Sequence, residues 1–112
     1  MRRAVARFGD RLLSRCFTEG ERADCLPRRD PVPGLAARWA AKEATAKALG
    51  TGFGGRVGWL DVEVVRDVVG RPELRLTGSA AALVADRWGT VRFHLSLTHE
   101  RGMAAAVVIV EG

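Results

Sequence analysis

The sequence predicts a single α+β domain, and three observations carry that prediction. The chain has 112 residues, a length that fits one domain with a modest core. Apolar residues recur at helical spacing through much of the first half, whereas β-branched and partly alternating runs dominate the second. The elements follow one another as helices, strands, helix, strands, the order of an α+β architecture, and no internal repeat or low-complexity tract divides the chain.

Residues 2–15 place Val5, Phe8, Leu12 and Leu13 on one helical face and Arg3, Arg7, Arg11 and Arg15 in an i, i+4 row on another. Such a basic ridge serves either as a solvated face or as a dock for an acidic partner. Thr18 and Glu21 have the spacing of a capping box, which predicts a short second helix. Residues 27–34, PRRDPVPG, hold three of the four prolines and read as a loop. Residues 35–49, LAARWAAKEATAKAL, are rich in strong helix formers and are followed by Gly50 and Gly52, a helix with a plausible stop. TGFGG, residues 51–55, reads as a flexible turn; it follows a helix, whereas phosphate-cradling loops precede one.

Residues 59–67 alternate and are β-branched, with 61–65 the firmer strand, and residues 71–76 follow after Val69 and Gly70 to make a hairpin. Residues 79–88 predict an alanine-rich helix ending before Gly89. Residues 91–99 and 103–111 predict a final strand pair joined around Glu100, Arg101 and Gly102.

Composition excludes several classes. Apolar residues make up 47% of the chain and mean hydropathy is −0.01, values of a globular protein and not of a disordered one. No apolar run approaches the ~20 residues of a membrane span. Arg7, Asp10 and Arg11 interrupt the start, which leaves no apolar core for a signal peptide and predicts a cytoplasmic protein. Cys16 and Cys25 lack metal-ligand spacing and read as free thiols; Trp39, Trp59 and Trp88 read as core or interface anchors. A net charge of +5 and a pI near 10.5 imply an acidic partner: nucleic acid, an anionic membrane, an acidic protein or a phosphorylated small molecule. Of the 18 cationic residues only Lys42 and Lys47 are lysine, and both fall in one short segment.

That segment carries the candidate chemistry. At 100° per residue Ala36, Ala40, Glu43 and Lys47 share one ridge of the long helix, beside an apolar stripe of Leu35, Trp39 and Ala46. Small side chains lead to a carboxylate and an ammonium standing side by side. Carboxylate oxygens suit Mg²⁺, which keeps waters and bridges to phosphates, and a nearby lysine neutralises phosphate charge. Taken in isolation, the same pair reads as a surface ion pair worth about 0.3 kcal/mol.

The wider context distinguishes the two. Residues 38–52, RWAAKEATAKALGTG, resemble the W-x-x-K-E-A-x-x-K signature of the phosphopantetheinyl transferases, in the form of the holo-acyl-carrier-protein synthases. Residues 8–21, 59–67, 70–78 and 94–111 are each similar to the family pattern and stand in the same order, so the resemblance covers nearly the whole chain. It implies one α+β domain spanning residues 1–112. It also implies Mg²⁺-dependent transfer of the 4′-phosphopantetheine arm from coenzyme A to a serine of an acidic acyl carrier protein, with adenosine 3′,5′-bisphosphate leaving. By resemblance Glu43 ligates Mg²⁺ and Lys47 contacts the pyrophosphate or the reacting centre. Arg38 and the turn Gly70, Arg71 and Pro72 match positions that hold the nucleotide end of coenzyme A. His99 matches a histidine near the phosphates, supplied across a subunit boundary of a homotrimer; Ser96 and Thr98 lie beside it. Arg3, Arg7, Arg11 and Arg15 match the helix that docks the carrier protein. A nucleic-acid-binding domain would explain the arginines but not Glu43 and Lys47, so neither nucleic acid nor membrane is the expected partner.

One part of the pattern is missing. The family begins with a β-strand bearing a G-x-D signature whose aspartate is a second metal ligand, and no such segment precedes the first helix; Asp10 lies on that helix and does not match it. The expectation is that Met1 is an internal methionine, with a catalytically impaired carrier-protein-binding subunit as the alternative.

Overall fold

The first predicted helix forms, with one exception that matters for the surface. In the computed structural model, which describes residues 2–50, 58–100 and 103–112 with the side chains of 2–8 and 99 outside the description, helix α1 spans Arg2–Cys16. Gly9 leaves helical geometry inside it, with φ 55° and ψ −135°, a backbone that a side chain strains and glycine tolerates. A single row from Arg3 to Arg15 needs an unbroken helix. The expected continuous ridge is therefore corrected: Arg11 and Arg15 sit exposed on the second segment, whereas Arg3 and Arg7 belong to the first, and the side chains of those two lie outside the described residues.

Helix α2, Glu19–Cys25, opens on the predicted capping box. Thr18 Oγ1 accepts from the Glu21 N–H at 3.1 Å and Glu21 Oε1 accepts from the Thr18 N–H at 2.9 Å. Helix α3, Val32–Leu49, starts three residues earlier than periodicity predicts, so Pro33 and Gly34 belong to the helix and not to the loop. Proline is tolerated in a first helical turn because the N–H it lacks has no partner there. Gly50 closes α3 in the left-handed region, φ 73°, and donates its N–H back to Ala46 and Lys47. The TGFGG turn, residues 51–55, lies outside the described residues.

Trp59–Asp61 is a 3₁₀ turn and not the start of a strand. The Asp61 carboxylate explains the difference, since it accepts from the Gly58 N–H at 3.2 Å and from Ser79 Oγ at 2.5 Å and so holds the chain in a tight turn. Strand β1, Val62–Arg66, then pairs antiparallel with β2, Pro72–Leu76, with Val64 opposite Leu74. Asp67 builds their connection by accepting the N–H groups of Val69 at 2.9 Å and Arg71 at 2.8 Å. Helix α4, Gly78–Trp88, turns Ala80, Leu83 and Val84 inward. Strands β3, Arg92–Glu100, and β4, Met103–Glu111, form a second hairpin with Ser96 opposite Val107. Among the described residues no strand precedes α1.

Two apolar clusters make the core. Leu13, Cys16, Phe17, Cys25 and Leu35 form one, flanked by Trp39 and Trp59, whose rings stack with centroids 4.3 Å apart. Leu49, Val62, Ala80, Leu83 and Val84 form the other, flanked by Leu74, Leu76, Val91 and Phe93. Helix α3 joins the two, with Leu35 at one end and Leu49 at the other. Trp88 is exposed, so only two of the three tryptophans anchor the core.

Candidate active site

Helix α3 presents two kinds of charge. Its inward face buries Ala37, Arg38, Ala41, Lys42, Thr45, Ala46 and Leu49. The ridge Ala36, Ala40 and Glu43 is half-buried at the helix edge, and Lys47 is exposed in the last turn. There its charge complements the carbonyl end of the helix dipole. Among the described residues Glu43 and Lys47 form no ion pair, with each other or with any other side chain. The ordinary surface-pair explanation is thereby removed, and a carboxylate and an ammonium remain available on adjacent turns.

The buried charges are, in contrast, fully engaged. Lys42 and Glu21 are both 0% exposed and meet at 2.8 Å. Lys42 Nζ also donates to the Trp59 carbonyl at 2.8 Å and to the Val62 carbonyl, so its three protons meet three acceptors. Burial pulls the ammonium below its ordinary pKa, against the opposing pull of Glu21. Sequence reasoning missed this pair, although the rarity of lysine pointed to it: a compact ammonium fits three converging oxygens where a planar guanidinium does not.

A third cluster lies at the start of α3. One oxygen of Asp24 receives Arg28 Nη2 at 3.3 Å, Arg66 Nε at 3.0 Å and Arg38 Nη2. Burial pushes the Asp24 carboxyl up, but the Arg66 hydrogen bond and the charges of Arg38, Arg66 and Arg28 outweigh it and hold it below the usual carboxylate range. Three guanidiniums against one carboxylate leave a positive surplus. Arg28, Arg38 and Arg66 line a cleft of about 170 Å³, with Gly34, Ala37, Pro72 and Leu97. Arg38 is almost wholly buried, and its Nε has no hydrogen-bond partner. Such an orphan beside a positive cleft fits an anion.

The expected nucleotide-end residues are thus partly brought together. Arg38 and Pro72 share the cleft; Gly70 approaches it through its carbonyl, which accepts from Arg66 Nη1 at 3.3 Å; Arg71 is exposed and outside the lining. Arg28 and Arg66 were not singled out from sequence, because nothing local marks two arginines 38 positions apart as neighbours. His99 pairs with Ala104 through the β3–β4 register, and its side chain lies outside the described residues. Ser96 and Thr98 are exposed. Among the described residues no three His, Cys, Asp or Glu side chains converge as a metal cluster.

Known proteins align with this arrangement over nearly its full length. The family profile described as 4′-phosphopantetheinyl transferase superfamily matches residues 1–107. The chain is 50% identical to the holo-[acyl-carrier-protein] synthase of Syntrophotalea carbinolica, covering 90% of this chain and 78% of that one. It is 49% identical to that of Methylobacterium nodulans, covering 97% and 85%. Among solved structures, the Neisseria meningitidis holo-[acyl-carrier-protein] synthase superposes with a TM-score of 0.87 at 33% identity, covering 98% of this chain and 87% of that one. The Helicobacter pylori enzyme in complex with coenzyme A gives 0.82 at 27% identity, covering 98% and 90%.

Proposed function

Since the chain belongs to the 4′-phosphopantetheinyl transferase superfamily, we propose that it moves the 4′-phosphopantetheine arm of coenzyme A onto a serine hydroxyl of an acyl carrier protein. In this reaction the serine oxygen bonds to the pantetheine-bearing phosphorus, and the bond from that phosphorus to the oxygen bridging the two phosphates breaks. Adenosine 3′,5′-bisphosphate leaves, and the serine proton passes to water. The observation that carries the reading is that, among the described residues, Glu43 and Lys47 have no ion-pair partner, on a helix whose other two cations, Arg38 and Lys42, are buried and engaged.

Each residue has a distinct task. Lys47 offsets charge on the diphosphate. Arg38, with Arg28 and Arg66 beside Pro72, holds the phosphorylated nucleotide end. Glu43 is the residue we assign to hold Mg²⁺. Its half-buried carboxylate oxygens suit a hard cation such as Mg²⁺. When bound, Mg²⁺ would supply charge neutralisation at the diphosphate.

Two further assignments belong to the same proposal. Met103, Val107 and Ile109 are more than half exposed along one face of β4, an apolar strip that supports a homotrimer in which His99 serves a neighbouring copy's site. Arg11 and Arg15, exposed on α1, serve the acidic carrier protein, together with Arg3 and Arg7. A cytoplasmic location belongs to the same proposal; among the described residues no helix is long and apolar enough to cross a membrane.

The test is Mg²⁺-dependent loading of an apo carrier protein from coenzyme A. Glu43→Gln should lower kcat/KM by about 100-fold or more, the scale of a lost electrostatic group at a reacting centre, with the unfolding midpoint unchanged. Unaltered loading would remove Glu43 from the chemistry. Carrier-protein binding without any transfer would favour the impaired binding subunit.

A further inference from the structure

Helix α3 has an unusual surface for the element that carries the reacting groups. Seven of its residues are alanine: Ala36, Ala37, Ala40, Ala41, Ala44, Ala46 and Ala48. Helices choose their rotation by fitting large side chains into a neighbour's grooves; α3 has such groups near its ends, Leu35, Trp39 and Leu49, while the stretch between Trp39 and Leu49 offers mostly methyl groups. Yet Glu43 and Lys47 can meet a ligand only at one rotation.

Leu35, Arg38 and Leu49 also face inward, and Arg38 reaches Asp24 on α2, but Lys42 bonds to three other elements at once. Its three bonds run to Glu21 on α2, to the Trp59 carbonyl in the 3₁₀ turn and to the Val62 carbonyl at the start of β1. Glu21 is itself held twice more, by the Thr18 N–H at 2.9 Å and by the Val64 N–H at 3.0 Å. These bonds are directional, and turning α3 breaks them together. Cohesion alone does not account for the pair, because apolar residues of similar volume commonly hold a core as well as or better than a buried ion pair does.

We infer that Lys42 is a positioning residue: by its bonds to Glu21, Trp59 and Val62 it sets the rotation of α3 and so the facing of Glu43 and Lys47. The inference rests on the proposed function for its catalytic consequence, but the rotation itself is measurable without catalysis. Thr45, on the same inward face and 0% exposed, is the position at which a thiol reports it.

The experiment compares Lys42→Met, the double variant K42M/E21Q and the unsubstituted protein, each with and without Thr45→Cys. K42M leaves a carboxylate buried alone and serves as the destabilised control. K42M/E21Q removes both charges and keeps one acceptor oxygen, enough for either the Thr18 or the Val64 N–H but not for both. The expected result is a thermal midpoint recovered relative to K42M, maleimide labelling of the thiol introduced by Thr45→Cys at least tenfold faster than in the unsubstituted background, and kcat at least tenfold lower with KM for the carrier protein unchanged. The native Cys16 and Cys25 give only slow background, being buried with thiols pushed up in pKa. If K42M/E21Q protects the introduced thiol as well as the parent does and retains its kcat, Lys42 is cohesive only and the inference is overturned. A double variant that fails to fold overturns it equally, since positioning is then inseparable from cohesion. If the parent transfers nothing, the functional reading fails, and labelling of the introduced thiol alone decides the rotation.

Discussion

Glu21 and Asp24 lie one turn apart on the same short helix, and they are built for opposite ends. Glu21 is sealed: its oxygens take Lys42 and the Thr18 and Val64 N–H groups, all from the chain itself. Asp24 is half-exposed, shares one oxygen among three arginines, and leaves Arg38 Nε without a partner beside a cleft. A closed charge balance makes structure. An open one, with two positive charges in surplus, keeps attraction in reserve for a ligand.

The comparison can be broken most severely at the sealed end. Glu21→Ala leaves the Lys42 ammonium in the core without its counterion and should cost about 3–5 kcal/mol of folding stability, read from denaturant unfolding. A loss below about 1 kcal/mol would mean that water reaches Lys42 and that the two clusters do not differ in kind. At the open end the effect should fall on binding. Arg66→Ala removes a cleft guanidinium that is nearly half exposed and should raise KM for coenzyme A about fivefold, on the scale of one charge-assisted hydrogen bond, with little change in the unfolding midpoint. A large midpoint loss with unchanged KM would turn the open cluster into a second structural one.

The smallest effect concerns acid. Asp24 has a folded pKa held below its unfolded value of about 3.9, so its contribution to stability is present above that value and is lost as pH falls through the folded pKa. Asp24→Asn should therefore lower stability in the neutral range and flatten part of the decline below about pH 4, so that variant and parent converge in acid. An identical acid limb in the variant would show that the arginines do not act on Asp24 in solution.

The capping box and α3 were legible because each is specified within a few residues: Thr18 and Glu21 are three apart, and residues 35–49 are nearly all strong helix formers. The β1–β2 and β3–β4 hairpins were legible for the same reason. Local reasoning failed where one residue changes the phase of many, as Gly9 does for the arginine row on α1, and where a side chain overrides propensity, as Asp61 does at the 3₁₀ turn. It also failed at every cluster built from distant residues.

By itself the sequence determined the helices, the hairpins and the presence of Glu43 and Lys47 on one ridge, because helical periodicity and capping act over a turn or two of chain. Only the tertiary structure decided that Lys42 closes onto Glu21, that Arg28, Arg38 and Arg66 converge on Asp24, and that Glu43 and Lys47 have no ion-pair partner among the described residues. Which charges meet depends on how elements whose paired residues lie 14 to 42 positions apart pack, and the free energy of burying a charge is settled by those partners.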